Sequence, residues 1–188
     1  QIMDAYELEF DGKTEWPNLK GSRFETCTFR NVNWSGFDLR GARFEDCDFQ
    51  DCDLSNAKTL GLGFQEVRFE RSKLLGFKFD MCNPLGLSFH LIECNLTAAS
   101  FHALDLRNVT LEKCNAQDVD FTGAWAEGLH FTEVDLNGAL FERTNLKGAD
   151  FTSAKNWRID PNANSMQKAK FCKDELSGLL ETWSLNIQ

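Results

Sequence analysis

Proline and long apolar runs are scarce in this sequence of 188 residues, and basic residues are fewer than acidic ones. Only three prolines occur, and no apolar run reaches the 18 or more residues that predict a membrane-spanning helix. The N-terminal QIMDAYELEFDGK is acidic and lacks the apolar core of a signal peptide. With 20 basic against 29 acidic residues, the net charge is -9, which argues against direct binding to nucleic acid. We expect one domain, without a membrane span, whose partner is a protein.

Clusters that could support catalysis or hold a metal ion are also lacking. No CxxC pair occurs, and the three histidines, His90, His102 and His130, have no evident nucleophile or acid partner in the sequence pattern. The isolated GLG at residues 61–63 lies inside a repeating pattern, where ladder spacing is a simpler explanation than phosphate binding. The sequence therefore predicts a protein that is not an enzyme and has no catalytic, metal or cofactor site.

A five-residue periodicity is the dominant feature. In FETCTFRNVNW, residues 24–34, the large apolar residues Phe24, Phe29 and Trp34 are five apart. An α-helix would repeat its apolar face every 3.6 residues and a strand every two, so neither explains the pattern. A small residue two positions before each large one forms a second inward series, flanked by Asp, Asn, Ser, Thr and Gly that favour turns. Internal repeats are therefore expected.

The periodicity follows two registers, residues 19–89 and 96–151. Within the first, only Thr59 and Pro84 depart from the apolar rule. Seven residues instead of five separate the registers, which predicts a two-residue insertion around HLIE, just after NPLG. The sequence thus contains about 27 repeats, enough for six to seven coils if four repeats make one coil.

Six of the seven cysteines fall at the small inward position. These are Cys27, Cys47, Cys52, Cys82, Cys94 and Cys114. Buried free cysteine behaves as a small apolar residue, so we expect these thiols to fill the core. Pairs 20 residues apart would stack on successive coils within disulfide range, but the odd total favours a reducing cytoplasm.

The repeats resemble the pentapeptide-repeat family, whose unit is a small residue, Asp or Asn, Leu or Phe, and two polar or small residues. ARFED, CDFQD, CDLSN, VDFTG, VDLNG, TNLKG and ADFTS match it. The resemblance implies an all-β fold, a right-handed quadrilateral β-helix of about six to seven coils with a C-terminal α-helix. We expect an N-terminal cap at 1–16, in which Tyr6, Leu8 and Phe10 alternate like a strand, repeats at 17–155 with a register break near 83–95, and a C-terminal cap and helix at 156–188.

The C-terminal segment CKDELSGLLETWSLNI predicts an amphipathic helix followed by a short extended segment. Asp174 and Glu175 would lie in its first turn, where the helix dipole favours acidic residues. Its apolar stripe and the segment beyond it comprise Leu176, Leu179, Leu180, Trp183, Leu185 and Ile187. These residues would either cover the last coil or pair two subunits, and relatives with a C-terminal dimer favour a homodimer.

Acidic residues of the repeats form the predicted partner-binding surface. The candidates are Glu25, Glu45, Asp46, Glu66, Asp118, Asp120, Glu127, Glu133, Asp135 and Glu142. Twenty residues per coil would stack Glu25 on Glu45, and like charges so placed repel each other unless bases or a partner compensate them. Arg23 and Arg43 would stack beside them, so local neutralisation and a binding face both remain open.

Phe-rich irregular repeats, the break and the F-x-x-x-E-L-x-x-L-L helix resemble a subgroup that includes quinolone-resistance proteins and the albicidin and microcin immunity proteins. The resemblance implies a DNA-mimicking partner of DNA gyrase or topoisomerase IV that modulates the enzyme or protects it from quinolones or gyrase-poisoning toxins. The large loops of some quinolone-resistance members are missing here. The alternative is a scaffold for another cytoplasmic protein, with Trp125 and Leu140, apolar at outward positions, as contacts.

Overall fold

The computed structural model describes residues 2–188, and in this part of the chain the five-residue units form the sides of stacked coils. Phe24 pairs in parallel register with Phe44, and Phe29 with Phe49. An offset of 20 residues means that four units complete one coil. The result is a parallel β-solenoid of about six turns, so the predicted pentapeptide-repeat fold is confirmed.

Two of the four sides carry regular parallel sheets. Side 1 contains β1 (Asp4–Tyr6), β3 (Arg23–Glu25), β5 (Arg43–Glu45) and β7 (Gly63–Gln65). Side 2 contains β2 (Glu9–Phe10), β4 (Thr28–Arg30), β6 (Asp48–Gln50), β8 (Val67–Glu70), β9 (Phe89–Ile92), β10 (Val109–Glu112) and β11 (Phe131–Thr132). Sides 3 and 4 are joined by single parallel bridges, such as Asn33 to Asp53 and Asp120 to Leu140, and side 1 continues in this way from Asp105 onward.

The core is a column of aromatic and aliphatic side chains along the solenoid axis. Phe49 is fully buried and stacks on Phe29 at 4.6 Å and on Phe69 at 4.8 Å between ring centroids. The corners turn through residues with positive φ, where Gly, Asn and Asp are favoured. Gly76 is one such corner, where φ of 60° favours glycine, and an added Cβ would also displace the Asn56 side chain.

The register break lies within the predicted interval 83–95, close to its N-terminal end. Arg68 pairs with His90, an offset of 22, although Asn83 still donates its N–H to the carbonyl of Leu62 in the 20-residue register. The two extra residues therefore lie within 84–88. HLIE, where we expected them, lies in the regular strand β9 and its following corner, because the hydrophobic spacing reveals an insertion only after the next buried residue.

The N-terminal end of the rod is a partial coil instead of a single alternating strand. Ala5 pairs with Phe24 on side 1 and Phe10 with Phe29 on side 2, while Glu7 turns the corner with φ of 51°. As a consequence Tyr6 and Leu8, expected to alternate inward with Phe10, are 58% and 47% exposed. The chain then crosses the end of the rod, and Trp16 covers Trp34 at 4.8 Å.

The C-terminal helix is confirmed as a short helix but has 3₁₀ rather than α geometry. It spans Lys173–Leu179 and is followed by a second 3₁₀ turn, Glu181–Trp183; a third, Phe79–Met81, lies on side 4. Gly178 packs so closely on Trp157 that an added Cβ would lie 2.4 Å from the Trp157 carbonyl oxygen. This docking of the chain against the last coil competes with an extended α-helix. None of these helices is long and apolar enough to cross a membrane.

Candidate protein-binding surfaces

An acidic edge runs along the corner between sides 1 and 2 in the N-terminal half of the rod. It consists of Glu7, Glu25, Glu45, Asp46 and Glu66, and all five residues are exposed. Glu25 and Glu45 are paired in register at the ends of β3 and β5, as predicted. The position that follows is the corner residue with positive φ. In three of the first four coils it is acidic: Glu7, Asp46 and Glu66. The four predicted residues thus lie together, and Glu7 extends the row.

The neighbouring arginines do not form ion pairs with this edge. Arg23 and Arg43 stack in register at the opposite end of the same strands. Among residues 2–188, neither guanidinium lies within 4.0 Å of a carboxylate, whereas Arg30 binds Glu9 on side 2 at 2.9 Å. Local neutralisation of Glu25 and Glu45 by direct salt bridges, one of the two explanations from sequence, is therefore not observed.

The six other predicted acids do not form a patch. They lie around the perimeter of the sixth and seventh coils, on or beside all four sides: Asp118, Asp120, Glu127, Glu133, Asp135 and Glu142. Several are engaged locally. Glu142 pairs with Arg143, and Asp135 accepts a hydrogen bond from Asn156 Nδ2 at 2.9 Å. These acids therefore lie on different sides of the rod, because consecutive residues of a solenoid travel around its axis, and their role in partner binding stays a prediction.

Histidines have acidic neighbours that the sequence did not reveal. His90 Nε2 lies 3.4 Å from Glu66 Oε2, and its Nδ1 lies 2.9 Å from Thr110 Oγ1. Ser88 completes this cluster, accepting from the Glu66 N–H at 2.8 Å and donating its hydroxyl to Glu66 Oε1 at 3.1 Å. His102 and His130 also lie within 4.0 Å of an aspartate. In residues 2–188 no three His, Cys, Asp or Glu side chains are grouped to hold a metal ion.

The hydroxyl of Ser88 has a structural explanation. At the corresponding corners of earlier coils, the N–H groups of Thr26 and Asp46 donate to backbone carbonyls of the next coil. At Glu66 the inserted residues displace that carbonyl, and the Ser88 hydroxyl takes its place. The Ser88 hydroxyl therefore repairs the ladder at the break, which is a structural role for this serine.

Trp125 and Leu140, the apolar residues predicted at outward positions, are 42% and 57% exposed. Trp125 is held in place, since the Arg107 guanidinium lies 3.9 Å from the ring centroid and the indole Nε1 donates to Glu127 Oε2 at 3.2 Å. Leu140 lies on side 4, where it forms a parallel bridge with Asp120 of the preceding coil. The two side chains thus lie on different sides of the rod and do not form one patch.

The cysteines lie where the repeat predicts them. The six at the small inward position are buried, and all seven thiols, including half-buried Cys172, are free. Burial raises the pKa of Cys47 to about 12 and that of Cys52 to about 11, so these thiols stay protonated near neutral pH. The neighbouring thiol of Cys114, together with burial, raises the pKa of Cys94. Core filling is the role that this environment supports.

The predicted dimer residues at the C-terminus include a large exposed apolar fraction. Leu176, Trp183, Leu185 and Ile187 are 40%, 54%, 55% and 59% exposed. Leu179 and Leu180 are partly buried, and Leu179 packs against the core. The 3₁₀ geometry breaks the single stripe that an α-helix would form, but it leaves four large apolar side chains in water in an isolated chain.

Comparison with known proteins matches eight copies of the family described as pentapeptide repeats, at residues 18–58, 94–128 and 130–155. No curated protein sequence matches the chain. The solved structure of full-length QnrB1, described as a plasmid-mediated fluoroquinolone resistance protein, is similar with a TM-score of 0.57 at 20% identity, covering 97% of this chain and 100% of that one.

Two further solved structures are similar at lower scores. A trypsin-treated variant of QnrB1 gives a TM-score of 0.46 at 23% identity, covering 98% of this chain and 99% of that one. The pentapeptide repeat protein Rfr23 from the cyanobacterium Cyanothece 51142 gives 0.32 at 24% identity, covering 58% of this chain and 61% of that one. The likeness to full-length QnrB1 establishes a common fold.

Proposed function

This chain belongs to the pentapeptide-repeat family, and we propose that it is a non-enzymatic cytoplasmic protein that binds a type II topoisomerase. DNA gyrase or topoisomerase IV would be the partner, and binding would modulate the enzyme or protect it from quinolones or gyrase-poisoning toxins. The observation that carries the proposal is the acidic edge. It offers a basic protein surface five carboxylates in a row, with no salt bridge to Arg23 or Arg43.

The spacing of charge along the acidic edge supports imitation of a DNA strand. Glu7 to Glu66 span four coil levels, or roughly 14 Å at about 4.8 Å per coil, so the five carboxylates are about 3.5 Å apart along the rod on average. Duplex DNA carries one phosphate per roughly 3.4 Å of each strand and one per roughly 1.7 Å in total. The whole rod, with net charge -9 over roughly 32 Å, has only half the density of the duplex. The edge therefore resembles one strand.

A supercoiling assay tests this proposal directly. Titrating the protein into gyrase, with and without a quinolone, should inhibit supercoiling or restore it in a dose-dependent manner. Binding measured in parallel should weaken as salt rises, since exposed charges are screened. No effect on supercoiling and no binding at micromolar excess would contradict the proposal. An affinity that does not change with salt concentration would contradict its electrostatic basis.

Matched variants can locate the contact on the rod. Glu25→Gln with Glu45→Gln removes two edge carboxylates that accept no side-chain hydrogen bond, and we expect topoisomerase affinity to fall by roughly tenfold. Asp118→Asn with Glu133→Gln removes the same charge from other sides of the rod and should change affinity by less than about twofold. Equal losses from both pairs would show that net charge matters and that the acidic edge does not.

We propose homodimerisation through the C-terminus as the arrangement in which the rod acts. Exposed Trp183, Leu185 and Ile187 would gain apolar contacts in a two-fold interface, whereas each alone costs hydration free energy. Light scattering should give the mass of a dimer, and Leu185→Asp with Ile187→Asp should convert it to a monomer. A wild-type monomer at micromolar concentration would refute this arrangement, but it would leave the proposed role of the acidic edge unaffected.

A scaffold for a different protein is the second candidate, favoured by the exposed and rigidly held Trp125. Ordered Trp and Arg side chains are frequent anchors of protein interfaces. Trp125→Asp should abolish partner capture if the scaffold role is correct, and leave topoisomerase effects unchanged if the acidic edge is the contact. The supercoiling assay on this variant therefore separates the two functions.

A further inference from the structure

In the C-terminal half of the rod, glycine and lysine take the place of acidic residues at the corner that carries the acidic edge. There an open groove of about 420 Å³ is lined by Glu127, Gly128, Lys147, Gly148, Gln167 and Lys168, which we call the lysine groove. It adjoins a second cavity of about 340 Å³ that shares Glu127 and Gly128 and also contains Glu112, His130 and Arg107, whose guanidinium pairs with Asp105 at 2.7 Å. The two cavities follow one line along the rod because their lining residues recur at the same corner in successive coils.

Glycine at the corner makes the groove. Gly128 and Gly148 occupy the left-handed corner position with φ of 70° and 63°, the position that Asp46 and Glu66 fill in the acidic edge. A Cβ added at either glycine would have no atom within 4 Å, so the space above them is open. The backbone is therefore accessible where the earlier coils present carboxylates.

The groove contains cations without partners. Lys147 and Lys168 are exposed, and among residues 2–188 neither ammonium group lies within 4.0 Å of a carboxylate. The one acid of the lining, Glu127, is held on side 1, where its Oε2 accepts from Trp125 Nε1 at 3.2 Å and Asn145 Nδ2 at 3.4 Å. The two lysines of the lining therefore exceed its one carboxylate by a single positive charge, although the whole protein has a net charge of -9.

Distance separates the lysine groove from the acidic edge. Glu66 and Lys147 are four coils apart, which corresponds to roughly 19 Å at about 4.8 Å per coil. The Debye length at physiological ionic strength is about 8 Å, so exposed charges this far apart are largely screened from each other. An anion near Lys147 is therefore governed by the local lysines.

We propose that the lysine groove binds an acidic, extended peptide segment of a partner protein. Carboxylates of the segment would meet Lys147 and Lys168, and its backbone would lie over Gly128 and Gly148. From Arg107 to Lys168 the corner spans three coil steps, roughly 14 Å, which an extended chain covers in about four residues. A long nucleic acid fits less well, because its continuation would meet the acidic edge. The proposal is independent of topoisomerase binding.

Fluorescence anisotropy with a fluorescein-labelled hexaglutamate peptide and the full chain tests this inference. We expect saturable binding at low salt that weakens as salt rises, and Lys147→Glu with Lys168→Glu should reduce affinity at least about tenfold. Lys58→Glu with Lys78→Glu is the matched control, since both lysines are exposed on side 4, and it should change affinity by less than about twofold. No binding by the wild type, or equal loss in both pairs, would overturn the proposal.

Filling the groove gives a second test without a change of charge. Gly148→Asn should weaken peptide binding at least about threefold, because Asn tolerates positive φ and its side chain would occupy the open corner. Gly36→Asn is the control, with φ of 71°, open space above it and a position on another corner. Equal effects of the two substitutions, or a six-nucleotide oligothymidylate that binds as tightly as the peptide, would refute an acidic-peptide groove.

Discussion

Replacing Phe49 by alanine tests whether the stacked aromatic column stabilises the fold. Phe49 is fully buried, and its ring stacks nearly parallel on Phe29 and on Phe69, with interplanar angles of 10° and 13°. Truncating a buried Phe costs about 3 to 5 kcal/mol through lost transfer free energy and the cavity left behind. Because neighbours on both sides lose a stacking partner, we expect a value of about 4 kcal/mol.

A control at the end of the column should lose less. Phe171 is only half-buried in the last coil, with Phe151 stacked at 5.2 Å and Trp157 at 4.7 Å. Phe171→Ala has one coil neighbour to lose instead of two, and we expect about 2 kcal/mol. Phe49→Leu should cost about 1 kcal/mol, since leucine occupies the equivalent position of the next repeat as Leu54.

Urea denaturation followed by circular dichroism measures all three variants against the wild type. The midpoint should shift furthest for Phe49→Ala, with an unchanged slope if the native and unfolded states keep their exposed areas. Equal losses for Phe49→Ala and Phe171→Ala, or a loss below about 1.5 kcal/mol for Phe49→Ala, would refute the argument that two-sided stacking sets the stability of each coil.

Three further predictions concern thiols, pH and the register break. A thiol reagent at pH 8 should label only half-buried Cys172 quickly, with all seven thiols reacting after denaturation; fast labelling of several in the native protein would contradict burial. Burial raises the pKa of Cys47 from 9.0 to about 12, so the folded state keeps a proton that the unfolded chain loses. The melting temperature should therefore fall as pH rises from 9 towards 12, and a melting temperature that stays constant over this range would contradict the prediction. Ser88→Ala removes the acceptor of the Glu66 N–H and should cost about 1 to 2 kcal/mol in urea denaturation, whereas Ser100→Ala, whose hydroxyl accepts from the solvent-exposed N–H of His102, should cost less than about 0.5.

Sequence periodicity predicted the sides and the core well because each five-residue unit buries the same two positions. Phe24, Trp34 and Phe121 are buried as expected, and the cysteines at the small position are buried too. The break at 84–88 lies within the predicted interval 83–95, but the extra residues were assigned to HLIE, since the inserted segment includes Leu87, which is buried and gives no sign of irregularity. The geometry of the C-terminal helix depends on the docking of Gly178 against Trp157, a tertiary contact that periodicity does not contain.

The acidic residues were predicted with uneven success for one geometric reason. Glu25 and Glu45 lie on one edge because residues 20 apart stack, and this rule holds wherever the register is regular. Residues 114–142 are close in sequence and therefore travel around the axis, so their acids diverge. Glu7 was missed because the first coil has an offset of 19, visible in the pairing of Asp4 with Arg23, and lies before the residues at which the repeat becomes regular.

The solenoid allows charge to vary along an edge without altering the core. In each unit two positions point inward and three point outward, so changing Glu45 or Lys147 leaves the buried column intact. Identity of 20% to QnrB1 is therefore compatible with the same fold and with a different surface.

It also follows that the acidic edge and the lysine groove should act independently, because sites separated by more than about 10 Å without shared partners have additive effects. Glu25→Gln with Glu45→Gln should leave hexaglutamate binding unchanged, and Lys147→Glu with Lys168→Glu should leave topoisomerase binding unchanged. Loss of both activities in either variant would show that one ligand covers the whole edge.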